Sequence, residues 1–505
     1  MHIVERRCLA VLPGNKRKKI GAPSRPWAAA SIITRGRLGA SRNRGAAAHI
    51  CMYFLYSLVT AAGIVLLAPY VLLSRARRQK YLPSLSQRLG LKFPPQLTTK
   101  ENLAAPAIWL HAVSVGEVLA ALPFARCLKE RFPRWRLVVS TTTATGQKLA
   151  LERMGFADAV FYFPFDWNGP VRRAFRAVRP GVIVVLETEI WPNLLRQACK
   201  AGVPVVFVNG RLSDKSFRGF SRALKTGGGL LGNFLRRVLN DATLYMVQSQ
   251  NDASRLTALG AAADRVLVSG NMKYDMAVPG PNAFVSWLQE ELKRSRRGPV
   301  IVAGSVISGE EAPVLEAFAA IRQKWPRALL ILAPRKPERF AAACDLVTQS
   351  GWRAIRRSEL SFDGVSAGSP GNAAELADGV LLLDTIGELA AVYSLADAVF
   401  IGGSLKPGAG GHNPLEPAAF AKPPVFGLSM DNFRDIAAAL LESGAAIQVD
   451  SAAGLSAAWA ELFENAPRRA QMGLAAREIV ERNRGATAAT LDRLAAVIDA
   501  RRARP

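Results

Sequence analysis

The chain has 505 residues, half of them hydrophobic, enough for two or three domains with sizeable cores; disorder of the whole is excluded. Its formal charge of +27 suits nucleic acid, an anionic membrane surface or an acidic substrate. Five cysteines (Cys8, Cys51, Cys127, Cys199 and Cys344) lack CxxC spacing and only four histidines are present, which argues against a disulfide framework or a His-rich metal centre and favours a reducing compartment.

In chain order, residues 1–51 come first: basic, rich in Ala, Gly and Ser, without a sustained apolar period, and expected to be disordered. Eleven Lys/Arg precede His49 against Glu5 alone, so the rest of the chain keeps a net charge of about +17. Met52 is a candidate translation start. Residues 52–74 come next, with 21 uncharged residues from Tyr53 to Leu73, matching the ~20 that cross a bilayer as a helix. Tyr53, Phe54 and Tyr56 suit an interface, and the basic cluster Ser74 to Lys80 places the large C-terminal part in the cytoplasm by the positive-inside rule. A transmembrane anchor is the expectation; a cleaved signal peptide and a buried soluble helix are the competing readings.

Beyond Pro106, short apolar runs alternate with helical patterns, the signature of parallel sheets covered by helices. The first series is Ile108 to Ser114, Leu137 to Thr143, Val160 to Phe165, Val182 to Glu187, Pro204 to Asn209, Tyr245 to Ser249 and Val266 to Gly270. The second is Val300 to Ser305, Leu329 to Pro334, Val380 to Asp384, Ala398 to Gly402 and Pro424 to Gly427. The fold class is therefore α/β, two Rossmann-like domains facing a cleft: an N-terminal domain over 75–280, a C-terminal domain over 298–475 and a C-terminal helix over 476–505. Ser358 to Ala374 is expected to be an exposed loop.

Ligands of wound sheets sit beyond the carboxyl ends of the strands. There the chain places Gly402-Gly403-Ser404, Gly408 to His412 and Asn413-Pro414-Leu415-Glu416-Pro417, read as strand, loop and helix start, with Asn413 as N-cap. Gly410 and Gly411 are expected to let an anion approach backbone N–H groups. Four strand ends carry an N-cap followed by Glu three residues on: Ser114 to Glu117, Ser308 to Glu311, Thr385 to Glu388 and Asn413 to Glu416. Each can be a capping box and nothing more. Glu117 can also serve as a general base if it reaches an acceptor hydroxyl. Glu187 and Glu189 end another strand, Arg335 can fork to a phosphate, and Lys273 offers a point charge; a surface ion pair or solvated loop explains any of these alone. No GxxxxGK[ST] pattern is present, so the P-loop reading lacks its fingerprint and a group transferase with a nucleotide-activated donor fits best.

Taken together, HAVSVGE (His111 to Glu117), ETEIWPN (Glu187 to Asn193), VNGRLSDKSF (Val208 to Phe217), GNMKYD (Gly270 to Asp275), APRKPERF (Ala333 to Phe340), DTIGEL (Asp384 to Leu389) and GGHNPLEPAAF (Gly410 to Phe420) resemble the 3-deoxy-D-manno-octulosonic acid (Kdo) transferases of lipopolysaccharide synthesis. The resemblance runs from Met52 to the C-terminus. It implies a GT-B glycosyltransferase, anchored in the inner membrane with cytoplasmic catalytic domains, that moves Kdo from CMP-Kdo to the lipid A precursor with inversion and without metal, cofactor or nucleic acid. By motif it implies Glu117 as general base, Glu187 and Lys273 as transition-state stabilisers, and Pro334, Arg335, Gly387, Glu388, Leu389, Asn413, Pro414, Leu415 and Glu416 at the CMP site. The first 51 residues have no counterpart in it, and the loop from Ser358 to Ala374 is longer than it suggests. Two rivals are another GT-B transferase on a lipid-linked acceptor and a non-catalytic membrane-bound binding protein.

Overall fold

The computed structural model describes residues 42–73, 75–98, 105–226, 228–360 and 379–502. The extension before residue 42 and loop residues 361–374 lie outside them.

The first sheet has seven parallel strands: β1 (Ala107–His111), β2 (Arg136–Thr141), β3 (Ala159–Tyr162), β4 (Pro180–Leu186), β5 (Val205–Gly210), β6 (Leu244–Val247) and β7 (Val266–Val268). Their spatial order is β3-β2-β1-β4-β5-β6-β7. Apolar runs such as Val182 to Leu186 have no polar alternation because helices cover both faces, and all five of those residues are buried. The second sheet repeats the plan with β8 (Val300–Val306), β9 (Leu329–Pro334), β10 (Arg353–Arg356), β11 (Gly379–Leu382), β12 (Ala398–Ile401), β13 (Pro424–Phe426) and β14 (Ile447–Gln448), ordered β10-β11-β9-β8-β12-β13-β14. In both sheets the winding reverses once, between β1 and β4 and between β8 and β12. The crevice outside the carboxyl ends of such a strand pair is where a ligand fits.

The edge strands β10 and β14 are absent from the sequence expectation. Arg353 and Arg356 bracket only two apolar residues, and β14 is two residues long, so neither makes an apolar run. The end of the chain also differs. Position 476 lies inside the helix Ala466–Arg482, and the terminal helix is Ala486–Arg502. That helix crosses back to the first half, burying Leu494 and Ile498 beside Val118, Ala121 and Phe124. Asp275 fastens the crossing, accepting from the N–H of Gly485 at 2.6 Å and of Thr487 at 2.5 Å.

The apolar run from Tyr53 falls in the helix Arg42–Leu72. Among the described residues, no helix is long and apolar enough to cross a membrane. One stripe of this helix packs on the first domain instead: Tyr53 is buried against Phe234 and donates to Asp241 at 2.9 Å.

Candidate active site

At the first reversal point, β1 ends at His111 and β4 leads into Glu187. Ser114 caps the helix Val115–Arg131 by accepting from the Glu117 N–H at 3.5 Å. Glu117 reaches back: its Oε2 accepts from the Val113 N–H at 2.8 Å and its Oε1 from the Ser114 hydroxyl at 3.0 Å. The reciprocal capping geometry is therefore real, but it places a carboxylate of only 8% exposure at the mouth of the crevice. Burial pushes Glu117 up to about 7, aided by the negative charges of Glu187 and Glu189 and opposed by the Val113 and Ser114 bonds. Glu189 is raised in turn, by burial and then by Glu187.

Glu187 follows its strand in the left-handed region, at φ 55°, while its N–H still bonds the Val208 carbonyl at 2.9 Å. A left-handed non-glycine residue costs ~1–2 kcal/mol, and such strain collects where a side chain must be aimed. Three motifs are laced together here. Thr188 Oγ1 accepts from the Arg211 N–H at 2.9 Å, and Asn209 Oδ1 accepts from the Met272 N–H at 3.0 Å. Asn271 Oδ1 accepts from the Lys273 N–H, also at 3.0 Å. Lys273 is thereby held near Glu187 and Arg211; burial lowers its pKa first and Arg211 lowers it further, while Glu187 opposes both.

His111 is wholly buried, stacked on Phe163 at 4.0 Å, with Nδ1 at 2.9 Å from Ser140 Oγ. Burial lowers it to about 3, so it is neutral at physiological pH and packs rather than shuttles protons.

In the second half, Pro334 ends β9 and Arg335 follows, its N–H bonded to the Val306 carbonyl at 2.8 Å. Beside it lie His412 and Glu416. Burial and then Arg335 lower His412 to about 4; burial raises Glu416, against the Asn413 bond and Arg335. Asn413 accepts from the Leu415 N–H at 3.1 Å and donates to Glu416 Oε1 at 3.2 Å; against expectation the N-cap of the helix Leu415–Ala419 is Pro414, and Asn413 stands one residue before it. Gly387 takes φ +95° where an added Cβ meets open space, ahead of Glu388 and the short helix from Leu389. Glu388 is paired with Arg357 at 2.7 Å.

The glycine-rich loop corrects an expectation. Its glycines make room for protein, not for an anion at Gly410 and Gly411. A Cβ on Gly402 would sit 2.3 Å from the Ser305 carbonyl oxygen, one on Gly410 2.6 Å from Asn432, and one on Gly411 2.3 Å from Met430 Sδ. The N–H groups are spent as well: Gly410 donates to Ser429 Oγ at 3.0 Å and Gly411 to the Gly403 carbonyl at 2.7 Å. Sequence reading also missed Glu310. This fully buried carboxylate accepts from Gly403 N–H at 2.6 Å and Leu405 N–H at 2.9 Å and so holds the loop. Two adjacent acids at a helix start, Glu310 at the N-cap and Glu311 as the first residue of the helix Glu311–Lys324, were the available signal.

The halves meet across the crevice. Lys273 Nζ donates to the Asn432 carbonyl at 3.1 Å and lies 4.5 Å from the Phe433 ring centroid, Arg211 donates to the Asp431 carbonyl at 3.0 Å, and Arg434 pairs with Asp214 at 2.7 Å. Asn432 in turn bonds the Gly410 and Gly411 carbonyls, so the Glu187–Lys273 group and the Arg335–Glu416 group are joined through one loop.

Two wound domains with acidic and basic side chains converging between them define a GT-B-type fold. The same fold occurs in Anabaena Alr3699/HepE in complex with UDP, at TM-score 0.50 and 14% identity, covering 78% of this chain and 100% of that one. The family profile described as 3-Deoxy-D-manno-octulosonic-acid transferase (kdotransferase) matches residues 83–276. The 3-deoxy-D-manno-octulosonic acid transferase of Haemophilus influenzae is 32% identical over 453 residues, 88% of this chain and 97% of that protein. That of Bordetella pertussis is 34% identical over 449 residues, 85% of this chain and 96% of its own. The chain belongs to the 3-deoxy-D-manno-octulosonic acid transferase family, and it is a Kdo transferase.

Proposed function

We propose that the enzyme transfers Kdo from CMP-Kdo to a hydroxyl of the lipid A precursor, lipid IVA, with inversion and without a metal. Glu117 is the general base: its carboxylate takes the proton as the acceptor oxygen bonds to the anomeric carbon and the bond to the CMP phosphate breaks. A base is most effective with a pKa near the working pH, and burial beside two other carboxylates supplies that. Glu187 and Lys273 stabilise the charge that develops between donor and acceptor. Arg335 compensates the departing phosphate, and Pro334, Gly387, Glu388, Leu389 and Asn413 to Glu416 shape the nucleotide site. The apolar segment 52–74 holds the enzyme at the inner membrane, with both domains on the cytoplasmic side, and the positive charge suits an anionic lipid acceptor.

The observation that carries this reading is Glu117, a buried carboxylate pushed up to about 7 at the crevice between β1 and β4. Donor competition tests it. Turnover with CMP-Kdo and none with UDP-sugars is expected; turnover with a UDP-sugar alone would move the chain to another donor class.

A further inference from the structure

The helix Arg42–Leu72 carries two opposite faces. Tyr53, Ser57 and Thr60, spaced for one side of a helix, bond to the first domain. Tyr53 donates to Asp241 at 2.9 Å, Ser57 Oγ accepts from Asn193 Nδ2 at 3.0 Å, and Thr60 Oγ1 accepts from Trp167 Nε1 at 3.0 Å. Tyr56 bonds Asp166, the buried carboxylate that also holds the Asn193 and Leu194 N–H groups at 2.9 and 2.8 Å. The other side carries Phe54, Leu55, Leu58, Val59, Val65 and Leu66, all exposed.

The chain then comes straight back. A second helix, Arg75–Arg88, succeeds the first, and its end returns to the segment that Thr60 touches. Gln87 Oε1 accepts from the Tyr162 N–H at 2.9 Å, and the Arg88 carbonyl accepts from the Phe165 N–H at 2.8 Å, two residues from Trp167. Both ends of the excursion are thus fixed on one surface. Its outgoing arm, from Ala61 to Leu72, is about 18 Å at 1.5 Å per residue, and the returning arm is about 21 Å. Neither crosses a hydrocarbon core of about 30 Å.

We infer that the arms 61–72 and 75–87 form a helical hairpin that enters the cytoplasmic leaflet of an anionic bilayer and leaves it on the same side, so that the apolar segment is a monotopic anchor and not a single span. This rests on the membrane placement proposed above. Leu72 and Leu73, exposed by 51% and 88%, dip only to the boundary of headgroups and acyl chains, because Arg75, Arg77, Arg78 and Lys80 come directly after them in sequence and stay with the anionic headgroups. The polar stripe from Tyr53 to Thr60 stays on the protein. Because it shares Asp166 with the turn after Glu187 and Glu189, the hairpin also sets the height of the acidic crevice above the membrane.

Cys51 reports the topology. It is exposed and stands just before the docked stripe, on the far side of the apolar run from the basic cluster. A full-length variant with serine at positions 8, 127, 199 and 344 keeps Cys51 as its single thiol. It is expressed in a Gram-negative host and treated with a membrane-impermeant maleimide. Labelling in inside-out vesicles and not in spheroplasts is expected. Labelling in spheroplasts, or on neither side until detergent is added, overturns the hairpin. If the variant fails to accumulate, a protease site placed before Arg42 in the otherwise native chain gives the same readout: cleavage from the cytoplasmic face supports the hairpin, and cleavage only from the periplasmic face overturns it. Vesicle flotation separates the two claims, because a chain that does not float with membranes defeats the membrane placement itself.

Discussion

Replacing Glu117 by glutamine separates a capping residue from a catalytic base, because the two roles predict opposite changes in stability. The carboxylate is pushed from 4.5 to about 7 on folding, chiefly by burial. Below pH 4.5 the group is protonated in both the folded and unfolded chain and no penalty applies. Between pH 4.5 and 7 the folded state alone holds the proton, so stability falls as pH rises, and above 7 the full cost is present. At 1.36 kcal/mol per unit that cost is on the order of 3 kcal/mol. Glutamine keeps the shape and one acceptor oxygen while losing the charge-assisted bonds from Val113 and Ser114. E117Q should therefore gain about 1–3 kcal/mol at pH 8 and nothing near pH 4.5. Turnover should fall by ~10²–10⁴. Urea unfolding at the two pH values, together with kcat/KM, decides it, and the wild-type acid limb should lie near pH 7. A variant that loses about 1 kcal/mol, as an ordinary capping residue would, and keeps its turnover would refute the reasoning.

Gly402→Ala should destabilise the ligand-free second domain by about 2–4 kcal/mol, since the new Cβ would meet a backbone oxygen at 2.3 Å. Thermal unfolding without donor checks it; unchanged stability with weakened donor binding would restore the loop as an anion site. His111 and His412 are lowered to about 3 and about 4 by burial, so the unfolded chain binds protons at pH 6.5 that the folded chain does not. Each should remove up to ~1.4 kcal/mol of stability per pH unit as pH falls below 6.5. Compared within the E117Q background, where Asp166, Glu189 and Glu416 remain in both chains, the H111Q/H412Q chain should show a flatter acid limb by chemical unfolding; an unchanged slope would contradict the buried neutral state. Lys273→Ala should lower kcat/KM by ~10²–10³ with stability little changed, measured by steady-state kinetics and unfolding together.

The wound architecture was legible because buried parallel strands leave apolar runs such as Val182 to Leu186 or Leu329 to Ala333. The edge strand Arg353–Arg356 was not, since an edge needs no apolar face on either flank. The acidic strand ends were legible as chemistry or caps, and Glu117 has the capping geometry while standing at the crevice, so the cap leaves the proposed chemistry open. The glycines near His412 misled because glycine serves any close approach, and only the fold reveals whether an anion or a neighbour such as Met430 fills the space. The second anchor point of the N-terminal helix was hidden for a related reason. Tyr53, Ser57 and Thr60 are compatible with a lipid-facing helix, and only their partners Asp241, Asn193 and Trp167, far away in sequence, reveal a docked one.

The central claim is tested most directly by the mass of the product. Membranes containing the enzyme, given CMP-Kdo and lipid IVA, should yield lipid carrying at least one added Kdo, with CMP released, and membranes containing E117Q should yield almost none. Unmodified lipid IVA with the wild-type enzyme, or Kdo addition undiminished in E117Q, would contradict the account.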